Sequence, residues 1–157
     1  MMPLYHYTSI YQLKLILDAK QIDLCPSNLL QPVDWYLVKD DNGITTVADE
    51  TDDHKPVIWF TNFLNFKRAL KSGLNEPKTE CAIMVENPDP AIFVKWDKWA
   101  IANGIEKKWF NALKRTTPEW PSFYVTEKPV IIRNEGIKII FRPDIREMLG
   151  DGGLEYA

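Results

Sequence analysis

Two histidines are candidates for acid–base or ligand-binding chemistry in this sequence, and their surroundings differ. His6 lies in an aromatic segment predicted to be a strand, and Thr8 and Ser9 follow it where a helix is predicted to begin. A histidine at a strand end can form hydrogen bonds in a cleft, where a helix N-terminus favours anionic ligands. A buried histidine with satisfied hydrogen bonds is the structural alternative. His54 has neither ligand spacing nor a nucleophile beside it and is predicted to lie on the surface.

Glu127 is the second candidate, because its place in the sequence is unusual for a carboxylate. Alternation along the preceding predicted strand puts it on the same face as Phe123 and Val125. A carboxylate that extends an apolar row is costly unless it is paired, protonated or exposed at the rim of a cleft. Lys128 and Pro129 predict that the strand bends or ends there. Exposure at a rim without any function stays open as the alternative.

Several other chemistries are excluded by what the sequence lacks. A two-histidine phosphoesterase needs two His-x-Thr/Ser motifs, and only His6-Tyr7-Thr8 has that form. There is no Gly-x-Ser-x-Gly elbow, Gly-rich phosphate loop or dinucleotide fingerprint. Cys25 and Cys81 have no paired spacing, and no His/Asp/Glu cluster has ligand spacing, so we expect neither a disulfide framework nor a metal.

The overall composition favours one folded domain in the cytoplasm. The chain has 157 residues, of which 45% are hydrophobic and 12% aromatic, which is enough for a substantial core. A net charge of −3 weighs against a general nucleic-acid binder, and the basic stretch over residues 107–115 is predicted to be a solvated helix face. No apolar run reaches the length of a membrane span and no leader is evident, so a membrane partner is not expected.

The elements that must position His6 are predicted from the first twenty-four residues. A short strand over residues 4–7 precedes a helix that begins with a capping box, Ser9 at the cap and Gln12 reaching back. Apolar residues at helical spacing predict a buried face, and the helix is predicted to end near Lys20. A short strand over residues 22–24 is predicted to follow.

Residues 25–55 are predicted to form an insertion that leaves the core sheet. Residues 35–38 and 44–47 flank Asp41-Asn42-Gly43, which is a hairpin signal, and an acidic loop over residues 49–53 follows. A lid or recognition element and a plain surface hairpin are both compatible with this pattern.

The rest of the chain alternates strand and helix signals. A central strand over residues 57–61 precedes a helix capped by Asn62, which is predicted to stop at Gly73. Strands are predicted over residues 81–85, 92–94 and 122–126, and helices over 96–102 and 105–113. Residues 130–132 and 137–141 are predicted to form a hairpin around Asn134-Glu135-Gly136, before a frayed tail.

Three separated segments resemble, in type and order, the NAD-binding motifs of the ADP-ribosyltransferase superfamily. Residues 5–9 resemble the His-x-Thr motif of the histidine-bearing branch, which includes diphtheria-like toxins, poly-ADP-ribose polymerases and rifampicin-inactivating ADP-ribosyltransferases. Residues 57–62 resemble the second motif, an apolar strand that ends in a small hydroxyl residue. Residues 123–130 resemble the strand that carries the family's glutamate. The pattern also resembles a group of uncharacterised bacterial and phage proteins that share these three segments, a resemblance that implies a role as a toxin or in bacterial defence.

The resemblance implies a fold and a domain layout. The fold would be α+β, with an ADP-ribosyltransferase-like split antiparallel β-sheet core and flanking helices. The domain would span residues 1–143, with the insertion at about 25–55 and a C-terminal tail at 144–157. Two departures from the family pattern are present: Lys20-Gln21 stands where the first helix usually ends in glycine, and no tyrosine pair follows Thr61.

The resemblance also implies an activity and a set of site residues. Glu127 and His6 would be catalytic, with Glu127 bonding the nicotinamide ribose and stabilising its cation. NAD would be the substrate, and protein, nucleic acid, a small molecule or water would accept ADP-ribose. The alternative is a non-catalytic nucleotide- or protein-binding module, such as a defence inhibitor. The residues implied to contact NAD are His6, Tyr7, Thr8, Tyr11, Trp59, Phe60 and Thr61.

Overall fold

A computed structural model describes residues 2–24, 37–39, 45–47, 56–71, 74, 76–105, 107–132 and 135–150. Within these residues the chain combines strands with five α-helices and two 3₁₀ turns, Glu76–Thr79 and Trp120–Ser122. The helices are α1 (Ile10–Ala19), α2 (Phe66–Lys71), α3 (Trp96–Ala102), α4 (Lys107–Thr116) and α5 (Pro143–Leu149). The strands are β1 (Leu4–Thr8), β2 (Gln21–Ile22), β3 (Leu37–Lys39), β4 (Thr45–Val47), β5 (Ile58–Thr61), β6 (Cys81–Val85), β7 (Val94–Lys95), β8 (Phe123–Thr126), β9 (Val130–Ile131) and β10 (Ile137–Phe141).

A six-stranded sheet with the order β10-β6-β1-β5-β8-β7 forms the centre of the fold. Each of its pairings is antiparallel. Two shorter antiparallel pairs, β2 with β9 and β3 with β4, complete the described strands. The predicted α+β class with an antiparallel sheet is therefore confirmed at that level.

The pairing between β1 and β5 is much shorter than its neighbours. β1 pairs with β6 along its whole length, from Leu4↔Val85 to Thr8↔Cys81. Its register with β5, in contrast, consists of Tyr5↔Thr61. The two strands therefore diverge from His6 onward, which divides the sheet into two three-stranded halves, β10-β6-β1 and β5-β8-β7.

Alternation along the strands sends side chains into a different core on each face of the sheet. On one face, Leu13 and Ile16 of α1 pack with Phe60 and Ile83 in the largest apolar cluster. On the other face, Trp96 and Trp99 of α3 pack with Val57, Phe123 and Val125. The predicted central position of β5 is confirmed, because it contributes residues to both cores.

Local signals predict the first helix well. Ser9 Oγ accepts a hydrogen bond from the backbone N–H of Gln12 at 3.1 Å, as the cap prediction requires. The helix ends with Lys20 in the left-handed conformation, at φ 61° and ψ 23°. Lysine thus occupies the backbone geometry for which glycine is normally selected, because a Cβ strains that region.

Replacing Lys20 with glycine should therefore stabilise the fold, by about 0.5–1 kcal/mol, because it removes the Cβ strain at this position. Urea unfolding followed by circular dichroism measures the change. Lys20→Ala is the matched control, since it removes the lysine side chain but keeps the Cβ and should give no such gain. Equal stabilisation by both variants would show that backbone strain is not the cause.

The second helix begins later than the sequence indicated. Asn62 was predicted to cap it, but α2 begins at Phe66, and Asn65 Oδ1 accepts from the backbone N–H of Arg68 at 2.9 Å. The cap prediction was wrong by three residues because both asparagines precede an apolar helical pattern. The predicted stop at Gly73 lies outside the described residues.

Two strand predictions were wrong in their partners or bounds. Residues 130–132 and 137–141 do not pair as a hairpin, since β9 pairs with β2 and β10 pairs with β6. The Asn134-Glu135-Gly136 signal does not lead to a hairpin, because each of the two strands pairs with a strand far away in the sequence. The strand predicted over residues 92–94 is shorter and later, as β7 (Val94–Lys95).

The structure also differs from the prediction at the fourth and fifth helices. The helix predicted over residues 105–113 is α4, which runs from Lys107 to Thr116. The tail predicted from residue 144 begins instead as α5, with Pro143 in its first turn and Ile145 buried. Proline is favoured at a helix start, so Pro143 marked a beginning rather than an end.

The inserted hairpin is confirmed where the structure describes it. β3 and β4 pair in register from Leu37↔Val47 to Lys39↔Thr45. The predicted turn and the acidic loop, with His54, lie outside the described residues. In the part of the chain that the structure covers, no helix has the length and apolar character needed to cross a bilayer.

Candidate functional site

Glu127 lies at the mouth of a cleft formed where β8 ends. The strand stops at Thr126, and the backbone N–H of Lys128 donates to Thr126 Oγ1 at 3.2 Å, which turns the chain immediately after Glu127. The Glu127 side chain is exposed. The cleft has a volume of about 420 Å³, within the usual range for small-molecule sites. Its lining residues are Ala91, Ile92, Val94, Lys98, Trp99, Ala102, Glu127 and Lys128.

The Glu127 carboxylate is held by an indole. Trp99 Nε1 donates a hydrogen bond to Glu127 Oε1 at 2.8 Å. Trp99 is only 5% exposed and belongs to the core beneath the cleft, so its N–H has a fixed direction. A rigid donor from a helix therefore orients a carboxylate that follows a strand.

The charges around the cleft are mixed, with an excess of cations. Lys98 and Lys128 line it together with Glu127, and both lysine side chains are exposed. Ammonium groups attract phosphate groups as point charges, while the small apolar residues of the 91–94 turn offer a surface for a ring. The cleft thus combines an apolar wall with charged groups of both signs.

His6 is positioned by the divergence of β1 and β5. Its Nδ1 donates to the backbone carbonyl oxygen of Trp59 at 2.8 Å, so the imidazole replaces a backbone N–H at this point of the sheet. The ring packs on Phe60, with centroids 5.5 Å apart. With its proton on Nδ1, the neutral imidazole presents Nε2 as a hydrogen-bond acceptor.

The imidazole is stabilised in its neutral form. Burial lowers the pKa of His6 from its ordinary value of 6.5, and the nearby charge of Lys78 lowers it further, while the bond to Trp59 acts in the opposite direction. A histidine with a lowered pKa binds fewer protons in the folded than in the unfolded state. Its contribution to stability is therefore complete above pH 6.5 and is lost as the pH falls below that value.

We expect His6→Asn to reduce this acid sensitivity. An asparagine amide can donate to the Trp59 carbonyl from nearly the same position as Nδ1, but it does not titrate. Urea unfolding at pH 7 and pH 5 should show a smaller loss of stability in the variant than in the wild-type protein. His54→Asn serves as the control for the other histidine. Parallel losses in wild type and His6→Asn would contradict this assignment.

His6 does not line the cleft beside Glu127. β1 and β8 lie on either side of β5, so the two strands are about 10 Å apart. His6 contacts Phe60, Phe60 contacts Phe93 at 5.1 Å between centroids, and Phe93 belongs to the turn that lines the cleft. These rings belong to the core on the α1 face of the sheet, whereas Glu127 is bonded to Trp99 of the core on the other face, so the structure does not bring His6 and Glu127 together in one cleft.

The other predicted NAD contacts divide into buried and accessible residues. Tyr7 is 7% exposed, and its hydroxyl donates to the Phe63 carbonyl at 2.7 Å and accepts from the Asn65 N–H. Thr8 and Phe60 are also buried. The implied contacts of Tyr7 and Phe60 with NAD therefore disagree with their positions in this structure, since both rings fill core space.

Three candidates keep some access to solvent. Tyr11 is 71% exposed on the outer side of α1, and of the two tyrosines implied to contact NAD it is the one with an open ring. Trp59 is half-buried and packs on Trp96 at 6.2 Å between centroids, so it belongs to the second core. Thr61 is half-buried, and its hydroxyl donates to the Phe63 carbonyl at 3.1 Å.

Sequence reasoning missed Trp99 and the two lysines of the cleft. Trp99 follows Trp96 by one helical turn, a spacing that indicates only a shared buried face. Its bond to Glu127 joins residues 28 apart in the sequence, and no local pattern encodes that contact. The lysines carried no signal beyond their charge.

Metal and thiol chemistry receive no support from the described residues. No group of three His, Cys, Asp or Glu side chains among them is arranged to hold a metal ion. Cys81 is fully buried, its thiol donates to the Thr8 carbonyl, and burial raises its pKa to about 12. Cys81 is therefore a core residue and not a nucleophile.

No family model, curated protein or solved structure matches this chain. The interpretation of the site consequently depends on its own residues and geometry.

Proposed function

We propose that this protein is an ADP-ribosyltransferase-like enzyme that cleaves the nicotinamide–ribose bond of NAD and passes ADP-ribose to an acceptor or to water. One observation carries the proposal. The three sequence segments that resemble the family's motifs are widely separated in the chain, yet they fold as the adjacent strands β1, β5 and β8. The first two of these strands diverge at His6, and the third ends at Thr126, immediately before Glu127 and the cleft.

The reaction needs a negative charge that faces the reacting sugar. When the bond between C1′ of the ribose and N1 of the pyridinium breaks, the electron pair leaves with neutral nicotinamide, and the ribose becomes an oxocarbenium-like cation. The Glu127 carboxylate stabilises that cation electrostatically and accepts a hydrogen bond from a ribose hydroxyl. A nucleophile then attacks C1′ and loses its proton.

The remaining features of the site support a dinucleotide. Lys98 and Lys128 offer positive charge to the two phosphates. His6 lies outside this cleft, and its proposed bond to a ribose hydroxyl through Nε2 rests on the resemblance, with Nδ1 donating to Trp59.

The test is the release of nicotinamide by the purified protein, measured by chromatography. We expect release from NAD⁺ but not from NADH, because the reduced ring carries no positive charge and is a poor leaving group. Free ADP-ribose in the products would identify hydrolysis, and label retained on an added acceptor would identify transfer. Absence of nicotinamide release would overturn the proposal.

The non-catalytic alternative is favoured by one observation, the burial of Tyr7 and Phe60, which removes two of the aromatic residues implied to contact NAD. A binding module of this kind would be stabilised by NAD against heat without releasing nicotinamide, because ligand that binds only the folded state raises its stability. Such an outcome would support the alternative. The toxin and defence roles suggested by the resemblance stay predictions of that resemblance.

A further inference from the structure

The hydrogen bond between Trp99 and Glu127 joins a buried side chain to an exposed one. Glu127 is exposed and lies in the turn after β8, where a long side chain has many rotamers. Trp99 is 5% exposed and lies on the buried face of α3, between Trp96 and Ala100, which are themselves buried. The 2.8 Å bond from Trp99 Nε1 to Glu127 Oε1 therefore restricts the rotamers of the Glu127 side chain, because its donor is fixed in the core.

The geometry of the bond fits a role in orientation. An indole N–H is a donor only, so it cannot take a proton from the carboxylate or give one to a reacting group. It engages Oε1 and leaves Oε2 out of this bond. Both residues also line the cleft, so the bond fixes the carboxylate at the surface where a ligand would lie.

We infer that Trp99 is a positioning residue, which holds Glu127 in the orientation that the reaction requires; this inference rests on the proposed function. A carboxylate displaced by about 1 Å from its productive position can lose about 10²-fold in rate. The substrate still binds through its other contacts, so misplacement reduces turnover more than it weakens binding. Trp99 thereby acts through Glu127 and has no chemical step of its own.

The experiment compares kcat and KM for nicotinamide release in four proteins: wild type, Trp99→Phe, Glu127→Gln and the double variant. Phenylalanine keeps an apolar ring in the core and removes the N–H donor. We expect Trp99→Phe to lower kcat by about 10- to 100-fold with little change in KM. In the Glu127→Gln background the same substitution should change kcat by less than about twofold, because the charge that it positions is gone.

Trp96→Phe is the matched control, since it removes an indole N–H from the same helix and the same core without touching Glu127. It should leave kcat near that of wild type. An equal loss in Trp96→Phe, or a full further loss in the double variant, would overturn the inference and make the Trp99 effect one of packing. Wild-type protein that releases no nicotinamide would overturn the proposed function, whereas active wild type with an unaffected Trp99→Phe would overturn the Trp99 inference alone.

Discussion

Replacing Glu127 with glutamine is expected to lower the rate of nicotinamide release by about 10²–10³-fold while changing NAD affinity little. Glutamine keeps the size and shape of the side chain and an oxygen that can accept from Trp99 Nε1, so the cleft should keep its form. It removes the negative charge. Because that charge is needed most when the ribose is cationic, its loss affects the transition state more than the bound substrate.

The measurement is steady-state release of nicotinamide together with direct NAD binding by calorimetry. Glu86→Gln is the matched control, because Glu86 is a carboxylate that pairs with Lys138 at the β6–β10 side of the sheet, outside the residues that line the cleft. It should keep wild-type turnover. Loss of affinity and turnover in equal measure would show that Glu127 is structural, and unchanged turnover would remove it from the mechanism.

Trp96→Ala is expected to have the largest effect on stability, lowering the free energy of unfolding by about 3–5 kcal/mol. Trp96 is 0% exposed and begins α3. Its ring stacks on Phe110 of α4 at 5.0 Å between centroids and contacts Trp59 and Trp120. Truncation leaves a cavity where a strand and two helical segments meet, and the surrounding structure can relax only in part.

Urea unfolding followed by circular dichroism measures this loss. The Trp96→Phe variant separates the effect of losing the whole aromatic side chain from the effect of losing the indole N–H. Trp96 Nε1 is buried and donates to no atom of the residues that the structure describes, so phenylalanine removes volume without removing a protein hydrogen bond. We expect the phenylalanine variant to keep most of the stability. A loss below about 1 kcal/mol in Trp96→Ala would show that the core collapses readily around this position.

The sequence predicts the elements whose signals are local. The Ser9 cap and the apolar spacing of α1 lie within one turn of the residues they organise, and both are confirmed. β6 and α3 are confirmed to the residue, as Cys81–Val85 and Trp96–Ala102. Such elements are specified by propensity and periodicity within a short window.

The pairing of distant strands was not predictable in the same way. Asn134-Glu135-Gly136 is a turn signal between two apolar segments, and a hairpin was the simplest interpretation. Instead β9 and β10 each complete a different sheet, with β2 and β6 as partners. The choice depends on which apolar faces remain uncovered once the whole chain is assembled, and no short window contains that information.

The candidate site was also predictable only where its sequence signal is local. Alternation along β8 indicated that Glu127 continues an apolar row, and the structure has it exposed at the strand's end beside a cleft. The catalytic roles of Glu127 and His6 stay predictions. Tyr7 was ambiguous from the sequence, because an aromatic residue beside a histidine suits a ligand pocket and a core equally well.

The hydrogen bond between His6 and Trp59 has a mechanical consequence. Along the seam between β1 and β5, a ring takes the place that backbone amides occupy elsewhere in the sheet. The Tyr7 hydroxyl adds bonds to the Phe63 carbonyl and the Asn65 N–H across the same boundary. The two three-stranded halves are therefore joined mainly by side chains, so substitutions at His6 or Tyr7 would loosen their junction and leave the backbone ladder within each half intact.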